Sequence, residues 1–167
     1  AASLLALGED GKLYKIDSDA LTVTASMDVE GADDLRGIDV RPANGNLYAL
    51  GGADQLYTVD LTSGAATVGA KLNMELPGSG QAVVDFNPVA DRLRLLADDG
   101  KTVGELAKGL DGAAMDIASD GKGGNLAYVL TGTTLHTVNL ETGAPTTLGE
   151  VADLPDDIID IAVLPAM

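Results

Sequence analysis

Gln55-Leu56-Tyr57-Thr58-Val59-Asp60-Leu61-Thr62-Ser63-Gly64-Ala65 is written a second time as Thr134-Leu135-His136-Thr137-Val138-Asn139-Leu140-Glu141-Thr142-Gly143-Ala144, 79 positions further along. A shorter copy, Lys12-Leu13-Tyr14-Lys15-Ile16-Asp17, lies 43 positions before the first. A fixed internal period of this size means stacked copies of one supersecondary unit, each covering the face its neighbour leaves open. Within each copy apolar residues alternate with polar ones and then meet Gly, Asn or Asp. That is the pattern of a half-buried strand running into a turn.

Outward from these stretches the unit reads as four short strands. One copy comprises Ile38-Asp39-Val40 and residues 47–50, 56–61 and 66–68; another comprises Met115-Asp116-Ile117 and residues 126–130, 135–140 and 146–148. A degenerate copy starts Val84-Asp85-Phe86, continues through 92–96 and shortens through 101–106. The fourth is divided between the ends: Ile159-Asp160-Ile161-Ala162-Val163 supplies its first strand, and residues 4–7, 13–17 and 21–24 supply the rest. Four strands per unit at a period of about 40 residues predict an all-β chain, a small β-propeller of four blades. The blades are expected at 157–167 plus 3–30, 36–70, 81–110 and 112–151, a single domain closed by N- and C-terminal strands sharing one blade. Helical character is confined to residues 103–110.

The 167 residues suit one domain, and 46% hydrophobic content is enough for a core. With 3% aromatics, no Trp and a single Phe, that core must be built from branched aliphatics and Ala. The 26 acidic against 10 basic residues give a net charge of −16. Such a surface repels nucleic acid and anionic membrane, both of which are bound by Lys and Arg. It suits solubility and cation binding. Cys is absent, which excludes disulfides and thiolate chemistry. No apolar run approaches the roughly 18 residues of a membrane span, so no membrane insertion is expected. The chain opens Ala1-Ala2-Ser3, small residues of the kind signal-peptide cleavage leaves, which predicts a secreted or cell-surface protein.

Several stretches resemble a secreted bacterial family known as domain of unknown function 4394. They are Gly37-Ile38-Asp39-Val40-Arg41-Pro42, Asn46-Leu47-Tyr48-Ala49-Leu50, Leu56-Tyr57-Thr58-Val59-Asp60 and Met115-Asp116-Ile117-Ala118-Ser119. The most specific is Val84-Asp85-Phe86-Asn87-Pro88-Val89-Ala90-Asp91-Arg92-Leu93-Arg94. The resemblance implies propeller-like repeats over nearly the whole chain and brings no activity with it. Members carry a further segment after the last stretch, which this chain lacks between Gly104 and Asp116, as though one blade were missing.

Each first strand carries one Asp between apolar neighbours: Asp39, Asp85, Asp116 and Asp160. The pattern places them in one repeated slot near the axis. There they accept backbone N–H groups of the neighbouring unit or gather round a hard cation such as calcium, because a buried charge needs partners. Strand side chains point at sheet faces rather than down the axis, which favours the backbone role. No other cofactor is implied. Arg41, Arg92 and Arg94 stand beside or opposite these Asp residues and suit ion pairs. His136 takes a slot filled by Tyr14 and Tyr57 in the other copies, so it reads as a packing residue. Asp10-Gly11, Asp99-Gly100 and Asp120-Gly121 lack calcium-loop spacing and read as hairpin turns. Asp153, Asp156 and Asp157 read as a solvated acidic loop.

A lone His without an orienting carboxylate or nucleophile predicts no enzyme. The function expected is a non-catalytic extracellular scaffold or binding module, in one form a self-assembling surface or filament subunit. Its partners would be other copies of itself or an extracellular protein. The alternative is a metal-dependent hydrolase or lyase using the axial carboxylates. Glycan binding is disfavoured by the absence of Trp, since sugars are gripped by aromatic faces.

Overall fold

A computed structural model describes residues 3–41, 44–52, 54–72, 83–87, 92–96, 114–119, 125–139 and 144–164. Fourteen strands follow one another in these residues: β1 (Ser3–Gly8), β2 (Lys12–Asp17), β3 (Thr22–Asp28), β4 (Leu35–Val40), β5 (Leu47–Gly51), β6 (Gln55–Val59), β7 (Ala66–Lys71), β8 (Val83–Asn87), β9 (Arg92–Leu96), β10 (Ala114–Ser119), β11 (Asn125–Thr131), β12 (Thr134–Val138), β13 (Pro145–Glu150) and β14 (Ile158–Val163). The all-β reading holds. The helical character expected at 103–110 and the strand at 101–106 fall outside the described residues.

The strands form three separate four-stranded antiparallel sheets, ordered β14-β1-β2-β3, β4-β5-β6-β7 and β10-β11-β12-β13, and one two-stranded sheet, β8-β9. Turn chemistry sets the hairpins. Asp60 Oδ1 accepts the N–H groups of Thr62 and Ser63, and Asp17 Oδ1 those of Asp19 and Ala20. The Asp that ends these two copies thus reverses the chain, and these donors hold both carboxyls below the usual aspartate range. Gly64 ends the same turn with φ of 78°, a conformation that L side chains avoid. A Cβ there would also collide with the Asp28 carbonyl of the adjoining sheet. The strand expected from residue 21 starts one residue later, because Leu21 sits in a left-handed turn (φ 52°) with its carbonyl accepting the Ala152 N–H at 2.8 Å.

The terminal sheet is covered on both faces. Leu4, Ala6, Ile16 and Ile161 pack with Ala114, Tyr128, Leu130 and Leu135 of the β10–β13 sheet. Leu5, Leu7, Leu13 and Ala162 pack with Ile38, Val40, Leu47 and Ala49 of the β4–β7 sheet. Double-sided burial explains why β1 is a continuous apolar run rather than an alternating one.

The closed four-bladed propeller is not what forms. First strands of neighbouring sheets meet in the order β10, β14, β4, β8, and no comparable contact among the described residues returns from β8 to β10. The terminal strands share one sheet, with Leu4 opposite Val163 and Leu7 opposite Asp160, yet that pairing closes no ring. The physical reason is that a repeat encodes the strands and turns of each sheet. Whether the two end sheets meet depends on packing that the period does not carry.

Candidate functional site

The first strands lie innermost, and their carboxylates are among the most buried polar groups described. Asp160 is 1% exposed, Asp39 4% and Asp116 9%. Ile38, Val40 and Ile161 beside them are buried as well, so these inner strands are covered on both faces and an Asp that faces opposite to its neighbours is buried too. Burial demands hydrogen bonds, and the backbone supplies them. Asp116 Oδ2 on β10 accepts the Val163 N–H of β14 at 2.7 Å. Asp160 Oδ2 on β14 accepts the Ile38 N–H of β4 at 2.8 Å, and its Oδ1 accepts the Ile161 N–H at 2.9 Å. Asp39 Oδ1 accepts the N–H of Val40 at 2.8 Å. Two carboxylates thus reach from one sheet to the backbone of the next.

They do not all share one slot. Tyr57, His136 and Tyr14 stand across their sheets from Ile38, Met115 and Ile161. Asp39 and Asp116 follow that reference residue, whereas Asp160 precedes it. The expected equivalence therefore fails for Asp160 by two residues, and a shift of two keeps the side chain on the same face. Among the described residues Asp160 is the carboxyl most removed from water. Burial pushes its pKa well above the ordinary value, and the like charges of Asp116 and Asp39 push the same way against the two N–H donors.

No group of three or more His, Cys, Asp or Glu able to hold a metal occurs among the described residues. Asp39, Asp116 and Asp160 form no such group, and the side chain of Asp85, the fourth residue of the candidate cation site, lies outside the described residues. Asp85 stands opposite Arg94 in the β8–β9 register and Asn87 opposite Arg92. The side chains of Asp85, Arg92 and Arg94 lie outside the described residues. Arg41 follows β4, half-buried, with its N–H on the Asn46 carbonyl at 3.0 Å. Among the described residues the buried arginine is Arg36, 3% exposed, whose Nη1 donates to the Gly52 carbonyl at 3.1 Å. Its position between Leu35 and Gly37 in an inner strand was the available signal.

His136 is not simply a packing residue. Its two ring nitrogens lie 2.9 Å from Thr131 Oγ1 and 3.0 Å from Thr147 Oγ1. Two flanking hydroxyls fix the ring on β12. Asp10-Gly11 is a hairpin turn, with Gly11 at φ 81° and Asp10 Oδ1 accepting the Lys12 N–H. Asp99-Gly100 and Asp120-Gly121 lie outside the described residues. In the loop before β14, Asp153 adopts φ of 65°, Asp156 is exposed and Asp157 is half-buried.

Sequence reasoning missed a groove of about 500 Å³ between the terminal sheet and the start of β4. Glu9, Asp10, Asp28, Asp33 and Asp34 line it, with Val29, Leu35 and Ile159 beneath them. These carboxylates come from distant segments, so no local motif announces them.

The chain belongs to the family described as domain of unknown function (DUF4394), which matches residues 12–103. No curated protein matches it. A solved structure to which it is similar, an auxiliary nutrient binding protein from Bacteroides ovatus, shares 15% identity at a TM-score of 0.38. The alignment covers 95% of this chain and 50% of that one, so the chain spans half the length of that structure.

Proposed function

We propose that this protein is a non-catalytic binding or scaffold module that works outside the cell and recognises protein partners, including copies of itself, through its outer strands. One observation carries the reading: the outermost strands β3, β7 and β13 are the exposed ones, each paired with a single strand, and beyond that pairing the starts of β3 and β7 bond through the Val23 N–H to Ala152 and the Ala66 N–H to Glu30. An edge with free N–H and C=O groups is a template for another strand. The large exposed hydrophobics Val68 and Leu148 lie on two of these strands, at 67% and 40% exposure. The chemistry-bearing inner Asp residues are meanwhile engaged with backbone donors, which supports a structural rather than a catalytic use of them.

The charge of −16 opposes association of like copies. Added salt screens that repulsion, so self-association should strengthen as salt rises. Sedimentation velocity over a sodium chloride series tests this. A protein that stays monomeric at every salt concentration removes self-association and narrows the reading to foreign partners.

A further inference from the structure

The strand β14 is the meeting point of the fold. It pairs with β1 in its own sheet and packs against β10 on one side and β4 on the other. Two carboxyls fix it there. Asp116 reaches in from β10 to the Val163 N–H, and Asp160 reaches out to the Ile38 N–H of β4. The charges bearing on Asp160 are those of Asp116 on β10 and Asp39 on β4. The paired strand β1, Ser-Leu-Leu-Ala-Leu-Gly, carries no titratable group. The remaining charged side chain of β4, Arg36, directs Nη1 to the Gly52 carbonyl.

We propose that Asp160 is a proton-operated latch on β14, holding the three adjoining sheets together when protonated and loosening them when ionised. Both oxygens accept N–H groups, so the proton belongs on Oδ1, where it displaces only the adjacent Ile161 N–H; Oδ2 keeps the Ile38 N–H, and the neutral carboxyl adds no charge to a buried row that already contains Asp116 and Asp39. An ionised one places another negative charge beside them with almost no water to screen it. The sign follows from linkage. The folded-state pKa lies above the ordinary value of 3.8, so the folded chain binds the proton more tightly than the unfolded chain does. The stability so gained is complete below that ordinary value and is lost as pH rises through the raised folded one.

The test compares thermal melts of the wild type and Asp160→Asn from about pH 4 to about pH 8. Asn keeps a carbonyl acceptor and cannot ionise, and every surface carboxylate is common to both proteins. The wild-type midpoint should fall relative to the variant as pH rises, the curves diverging by roughly 2–4 °C or more for a chain of this size. Parallel curves overturn the latch. If the variant does not fold, amide exchange in the wild type decides. After correction for intrinsic rates, protection of the Ile38 N–H should drop with pH more than that of the Val23 N–H, which bonds to Ala152 away from Asp160. Equal changes at both amides overturn it as well.

Discussion

The inner and outer strands of each four-stranded sheet share a repeat but answer to different forces. Inner strands β4, β10 and β14 carry a buried Asp between apolar residues and meet strands of other sheets. Outer strands β3, β7 and β13 are exposed, and each meets its partner through a register shift: between Lys15 and Ile16, between Gln55 and Tyr57, and between Leu135 and His136. A bulge bends and twists an edge, which blunts open-ended pairing with other chains. The difference teaches that burial and the hydrogen bonds between sheets are concentrated at the centre, while the rim faces solvent.

The largest expected effect breaks the centre. Removing residues 158–167 takes away β14 and uncovers Leu4, Leu5 and Leu7, all buried, together with the place of Ile161. At about 1.5–3 kcal/mol per buried aliphatic side chain, the loss is on the order of 5–10 kcal/mol, comparable with the whole stability of a domain. The truncated chain should show no cooperative thermal transition by circular dichroism. A near-wild-type melt would mean that β14 is peripheral and that the inner–outer contrast is misplaced.

A smaller change probes one tether. Asp116→Ala leaves the Val163 N–H without its carboxylate acceptor in a site largely closed to water. An unsatisfied buried donor costs about 1–3 kcal/mol, so the urea midpoint should fall while the slope of the transition stays constant. A midpoint unchanged from the wild type would show that the carboxylate tie between β10 and β14 contributes nothing.

How far these features can be read from the sequence follows the same contrast. Strands and turns are local, and Gln55–Ala65 with its copies announces them through alternation, Asp60 and Gly64. The apolar setting of Asp39, Asp116 and Asp160 foretells their burial. The two-residue offset of Asp160 is not legible, because Ile-Asp-Ile looks the same in either register and the pairing with β1 decides it. Ring closure is not legible either, since it depends on whether distant sheets meet. Arg36 and the acidic groove escape for a related reason. Each is defined by neighbours from separate segments, which a linear pattern does not contain.

The smallest effect on stability is expected at the rim, and there the readout changes from folding to association. Val68 is 67% exposed on β7, an edge whose only charged residue is Lys71. Replacing it with Lys removes no core contact, and surface substitutions of this kind usually stay within about 0.5 kcal/mol. The melting midpoint of Val68→Lys should therefore match the wild type. Lys on an edge strand discourages pairing with another chain by requiring a charge to be buried or pushed aside. Any salt-promoted association through β7 should then weaken in sedimentation, and Leu148→Lys on β13 tests the second edge in the same way. Loss of stability in Val68→Lys would show that β7 is part of the core. Undiminished association in both variants would move the contact surface away from these edges, leaving the acidic groove beside Asp33 and Asp34 as the surface to examine next.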